Sequence, residues 1–113
     1  MPEDARPEQR RLAAIMAADV VGYSRLTERD ETHALTRMRS LRGEVLEPLV
    51  ARHQGRIVKF MGDGMLVEFP SVVNAVACAA DIQRRMRERN VDVPEDRRIE
   101  FRIGVHLGDV AGV

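Results

Sequence analysis

The sequence predicts an α+β domain with a ferredoxin-like βαββαβ core: an antiparallel sheet with two helices on one face. Three observations carry this. A continuous apolar run opens the chain, two long segments place apolar residues at helical spacing, and a Gly-Asp-Gly hairpin lies between them with one alternating strand after the second. At 113 residues the chain has room for one core.

The first strand is read from Leu12 to Val21, LAAIMAADVV, apolar except for Asp19 and so suited to burial on both faces. Asp30 is a plausible cap for a long amphipathic helix whose stripe is Leu35, Met38, Leu41, Val45, Leu46 and Leu49, closing near Gly55. Pro48 lies inside that pattern and removes a backbone donor, so a kink or local irregularity is expected there. RIVKFM and MLVEF then form a hairpin around Gly62, Asp63 and Gly64. Ser71 caps a second helix with the stripe Val72, Ala75, Val76, Ala79, Ile82 and Met86, leaving Asp81, Arg84, Arg85 and Arg87 mostly outside as a solvated face. In the last strand Ile99, Phe101, Ile103 and Val105 alternate with polar or small residues.

Composition bounds the function. Lysine plus arginine equal aspartate plus glutamate at 18 each, so no global field favours nucleic acid or an anionic membrane. The middle strands also lack the aromatic residues of an RNA-stacking sheet. Residues 1–10 read as a loose tail, not a secretory signal, and no apolar run nears the roughly 20 residues of a membrane span. Cys78, the only cysteine, sits in AVACAADI as a core thiol, which makes a cytoplasmic location the default.

The chemistry lies in KFMGDGMLVEF. A Gly-Asp-Gly turn explains the local pattern, but right-handed crossovers place the first and third strands side by side, so Asp19 at one strand's exit meets Asp63 at the other's start. Two carboxylates at one place repel each other unless a hard divalent cation lies between them, and a sparse set of oxygen ligands suits Mg²⁺ or Mn²⁺. VVGYS follows Asp19, and Gly22 there lets backbone N–H groups turn toward a phosphate. His106 reads as a packing or hydrogen-bonding residue, and Asp109 as a turn residue and not a third ligand.

ADVVGYS (18–24), KFMGDGMLVEF (59–69) and FRIGVHLGDV (101–110), in that order, resemble the class III nucleotidyl cyclase catalytic domain over about Arg11 to Val110. The resemblance implies a palm-like core in which Asp19 and Asp63, with the backbone of Val20, hold two metal ions. It implies further that Val20, Val21, Gly22, Tyr23, Ser24 and Gly62 contact the triphosphate. Lys59 stands where the family reads the base, and an ammonium donates to adenine N1 whereas guanine presents a donor there, so ATP is the expected substrate. The product would be cyclic AMP with pyrophosphate, made at a site between two copies of the chain. By the same resemblance residues 11–113 are the N-terminal part of the domain. The segment with a second base-contacting aspartate, a ribose-orienting asparagine and a transition-state arginine is expected beyond Val113. A cyclase-like domain that binds nucleotide or a partner without turnover is the alternative.

Overall fold

The structure, a computed structural model, describes residues 10–111; most of the expected tail, residues 1–9, lies outside them. The elements are β1 (Arg10–Val20), α1 (Tyr23–Arg29), α2 (Glu31–Leu41), a π-helical turn (Arg42–Leu46), α3 (Glu47–Arg52), β2 (Arg56–Met61), β3 (Gly64–Phe69), α4 (Val72–Asn90), a 3₁₀ turn (Glu95–Arg97) and β4 (Phe101–Ala111). The four strands are ordered β2-β3-β1-β4 and all pair antiparallel. This is the expected ferredoxin-like sheet, with β1 and β3 side by side.

One sheet face carries the helices. Ala14, Met16, Ala18 and Val20 of β1, Met65, Val67 and Phe69 of β3, and Phe101 of β4 are buried against it. Both predicted helical stripes are rotated slightly. In α2 Ala34 is buried and Leu35 exposed; in α4 the buried line is Ala75, Cys78, Ile82 and Met86, whereas Val72 and Val76 are exposed. Small side chains allow the helix–sheet approach, so Ala34 and Cys78 win positions that hydrophobicity alone gives to larger neighbours, while Ala75, Ile82 and Met86 are buried as expected. Burial pushes the Cys78 thiol up to about 11, with Asp81 adding to the shift, which keeps it protonated and inert.

Both caps form as expected: Asp30 accepts from the His33 N–H and Ser71 from the Asn74 N–H, each at 3.1 Å. The irregularity near Pro48 is the π-turn immediately before it, where the Glu47 N–H reaches back to the Arg42 carbonyl, so the widened turn sits where the proline lacks a donor. The helix closes through Gln54 at φ 61°, and Gly55 serves a different need: a Cβ there would lie 2.6 Å from the Phe69 ring and 2.9 Å from Val50. His53 Nε2 and Asp81 Oδ2, 2.7 Å apart, join α3 to α4; that bond and Arg84 hold the Asp81 carboxyl below the usual range.

β4 begins later than expected, at Phe101, because Ile99 packs in the core before the strand; it runs on to Ala111. Asn90 and Gln83 of α4 donate to the carbonyls of Ile99 and Phe101 at 3.0 and 2.9 Å and fix that start. Asp109 is therefore a strand residue opposite Leu12, not part of a turn.

Glu68 is buried on the sheet face opposite the helices, between Arg56 (Nη2–Oε1, 2.6 Å) and Arg11 (Nη2–Oε2, 2.5 Å). The Arg56 hydrogen bond, reinforced by Arg11, outweighs burial and lowers the carboxyl's pKa. A depressed carboxylate contributes stability above its unfolded value and loses it as pH falls through the folded one. Melting temperature should therefore decline as pH drops below about 4, and Glu68→Gln should lower stability at neutral pH and flatten that decline. Thermal melts across pH 3 to 7, taken as about one-unit steps, check this.

Gly64 generates a second prediction. A Cβ there would strike the Ala18 carbonyl oxygen and lie 3.2 Å from Asp19 Cβ, whereas one at Gly43 meets nothing within 4 Å. Gly64→Ala should cost about 3 kcal/mol, the upper end for overpacking, whereas Gly43→Ala should be neutral or stabilising. Denaturant midpoints of the two variants give the comparison.

Candidate active site

β1 carries Asp19 to the end of the sheet, and the β2–β3 turn carries Asp63 to the same place. Asp19 is paired in register with Gly64, and the Val20 N–H donates to the Asp63 carbonyl at 3.1 Å. Gly62 turns the hairpin at φ 44°, a left-handed conformation that disfavours any side chain. Asp63 is half-buried.

Asp19 is unevenly solvated. Nearly half of its side chain is exposed, at 44%, yet Oδ1 is buried and accepts no hydrogen bond. Arg102, opposite it on β4, places Nη2 3.2 Å from Oδ1 and 3.4 Å from Oδ2, donating only to Oδ2. Arg102 therefore neutralises Oδ1 without a hydrogen bond, an incomplete arrangement that leaves the oxygen able to serve as a cation ligand. Among the described residues no three His, Cys, Asp or Glu side chains form a metal cluster, so the site rests on a pair of carboxylates. The donor set, hard oxygen and no sulfur or imidazole, suits Mg²⁺ or Mn²⁺.

Past β1 the chain turns through Gly22, at φ 67° and ψ 31°, into α1. The Val20 and Val21 N–H groups are committed, the first to Asp63 and the second to the Glu100 carbonyl at 2.9 Å. Those of Gly22, Tyr23 and Ser24 have no acceptor among the described residues. Of the backbone read from VVGYS, Gly22, Tyr23 and Ser24 are therefore the residues whose N–H groups stay uncommitted among the described residues.

Lys59 lies on β2 and is exposed, opposite Leu66. Leu66 pairs with Ala17 and Gly64 with Asp19, so Lys59 shares a sheet face with Asp19, two strands across and two residues along, roughly 12 Å away. That face also carries Arg102 and no helix among the described residues. His106, opposite Ile15, and Asp109, opposite Leu12, lie progressively farther from Asp19 along β4, and Asp109 is roughly 23 Å from it. Arg102 is the residue that sequence reasoning missed; its place between Phe101 and Ile103 put it on the non-core face, and the strand order put it beside β1.

The profile of the "Adenylate and Guanylate cyclase catalytic domain" matches residues 6–113. "Putative adenylate cyclase 3" of Rhizobium meliloti (strain 1021) is 61% identical over 102 residues, which are 90% of this chain and 17% of that protein. Among solved structures, an adenylate/guanylate cyclase/hydrolase from Silicibacter pomeroyi superposes with a TM-score of 0.82 at 48% identity, covering 89% of this chain and 59% of that one. The guanylyl cyclase Cya2 superposes with a TM-score of 0.76 at 27% identity, covering 90% and 56%. The chain therefore spans a small part of that curated relative and under two thirds of these two solved chains. The chain belongs to the adenylate and guanylate cyclase catalytic domain family.

Proposed function

We propose that this domain converts ATP to cyclic AMP and pyrophosphate at a site shared by two copies of the chain. The observation that carries the reading is the buried Oδ1 of Asp19, ion-paired with Arg102 but accepting no hydrogen bond among the described residues, and held by backbone pairing against the turn that bears Asp63. Asp19 and Asp63, with the Val20 backbone, would hold two Mg²⁺ or Mn²⁺ ions. When bound, such ions lower the pKa of a ribose 3′-hydroxyl and stabilise charge at the α-phosphate.

The chain's own groups do the remaining work. The Gly22, Tyr23 and Ser24 N–H groups donate to phosphate oxygens, and Gly62 lets the Asp63 turn approach without a side chain between. Arg102 balances the Asp19 charge while no cation is there. Lys59 donates to adenine N1, and its exposure on a helix-free face supports a base site completed by a second copy. Solved relatives include adenylyl and guanylyl cyclases alike, so the choice of ATP rests on Lys59.

Asp19→Asn and Asp63→Asn keep size but remove charge. Each should weaken Mn²⁺ binding in the presence of an ATP analogue at least tenfold, about 1.4 kcal/mol, as read by electron paramagnetic resonance on this chain. Melting should move little, because the Asp19–Arg102 pair is largely exposed. In the domain extended to the length of its solved relatives, cyclic AMP formation should fall below about a tenth of the unsubstituted rate. Retention of Mn²⁺ affinity by both variants would remove the metal site; lost affinity with no cyclase activity in the extended domain would favour a binding domain without turnover.

The shared site predicts complementation. In the extended domain, Lys59→Glu and Asp63→Asn should each be defective on ATP. Once mixed and allowed to exchange subunits, they should recover activity toward a ceiling of roughly a quarter, since half of randomly paired dimers are mixed and each holds one intact site. Lys59→Glu alone should shift preference toward GTP, because a carboxylate accepts from guanine where an ammonium cannot. A mixture no more active than the mean of its parts, with exchange confirmed by differently tagged chains, rules the arrangement out.

A further inference from the structure

Behind the phosphate-facing turn, α1, α2 and the 3₁₀ turn before β4 enclose a cavity of about 490 Å³, within the range of small-molecule sites. Its apolar wall is built from Leu26 of α1, Ala34 and Met38 of α2, and Ile99. Ala34, Met38 and Ile99 are buried members of the core, so this wall is rigid.

The polar wall is cationic and incompletely balanced. Arg29 is paired with Asp96 at 3.0 Å, and Asp30 is engaged as the cap of α2. Arg37, half-buried, and Arg97, exposed, line the same cavity and have no carboxylate within ion-pair distance among the described residues. The nearby Arg89 is occupied by Glu44 at 3.0 Å. Burial, then repulsion from Arg97 and Arg89, lowers the pKa of Arg37, the mark of a guanidinium short of anionic company. Guanidinium forks match carboxylates and phosphates.

We infer that this cavity is a binding site for a small organic anion, one carboxylate or phosphate head held by Arg37 and Arg97 and a compact apolar body against Leu26, Met38 and Ile99. The site is separate from the aspartate pair and does not depend on the cyclase reading. It does adjoin it. α1 has no buried residue of its own, and its start, Tyr23, both lines the cavity and follows Gly22. An occupant bracing α1 against α2 and the 94–99 segment therefore reaches the backbone that turns out of β1.

The test is a nuclear magnetic resonance titration of the ¹⁵N-labelled chain with phenyl phosphate, benzoate, inorganic phosphate and benzyl alcohol. Phenyl phosphate or benzoate should give saturable amide shifts confined to residues 22–38 and 94–99, with a dissociation constant of about 1 mM or tighter. Inorganic phosphate, lacking the apolar body, and benzyl alcohol, lacking charge, should each bind at least about fivefold more weakly. The tighter of the two aryl probes assigns the head group. Arg37→Gln and Arg97→Gln should each weaken binding about tenfold with unchanged melting, whereas Arg85→Gln on α4 should have no effect. Arg97 is exposed, so its variant decides the matter if Arg37→Gln perturbs the fold. Absence of saturation by about 20 mM, equal binding of inorganic phosphate, or shifts unmoved by both substitutions overturns the proposal.

Discussion

The close approach of β1 and β3 at Gly64 is the constraint on which the rest of the site depends. Gly64 faces the Ala18 carbonyl and Asp19 with no room for a side chain, and the Val20 N–H reaches across to the Asp63 carbonyl. Backbone pairing fixes these contacts whatever the side chains do. Asp19 and the turn that bears Asp63 are consequently held at one corner of the sheet. The buried rows around Met16, Val67 and Phe69 supply much of the folding free energy that holds this corner in place. Arg102 donates to one oxygen of Asp19 and leaves the other without a hydrogen bond.

Most of the fold is legible because strands and helices announce themselves by period, and their ends by Asp30, Ser71 and the Gly-Asp-Gly turn. What periodicity misjudges is rotation. The expected stripe of Val72, Ala75, Val76, Ala79, Ile82 and Met86 shares Ala75, Ile82 and Met86 with the buried line and differs in Cys78, and only the closeness of helix to sheet decides that Cys78 is buried where Val72 and Val76 are exposed. The length of β4 was hidden for a related reason. Asp109 reads as a turn residue, yet β1 offers an unbroken partner through it, from Val20↔Phe101 to Arg10↔Ala111.

The site was legible to the extent that it is topological. Asp19 and Asp63 come together by strand order, which the sequence pattern yields. Arg102 requires register as well, and the division of backbone donors, with Val20 and Val21 engaged and Gly22, Tyr23 and Ser24 free, requires individual hydrogen bonds. No sequence pattern carries those. The cavity behind α1 was out of reach for the same reason, since Arg37 and Arg97 are distant in sequence and each alone reads as a solvated charge.

Lys59 shows how much can turn on a single irregularity. In β2, Ile57 pairs with Val67, but Lys59 pairs with Leu66, so Val58 is an extra residue in the ladder. Without it the regular alternation would set Lys59 opposite Met65, on the helix side, and its ammonium would be driven toward the core at a cost of several kcal/mol. The bulge reverses the parity of everything after it. Lys59 moves to the helix-free face with Asp19 and Arg102, and Phe60 turns toward the core side, where Arg42 of the π-turn stacks 3.8 Å from its ring centre. A one-residue register change in a strand moves every later side chain to the other face, so the exposed Val58 decides on which side of the sheet Lys59, proposed to read the base, is presented.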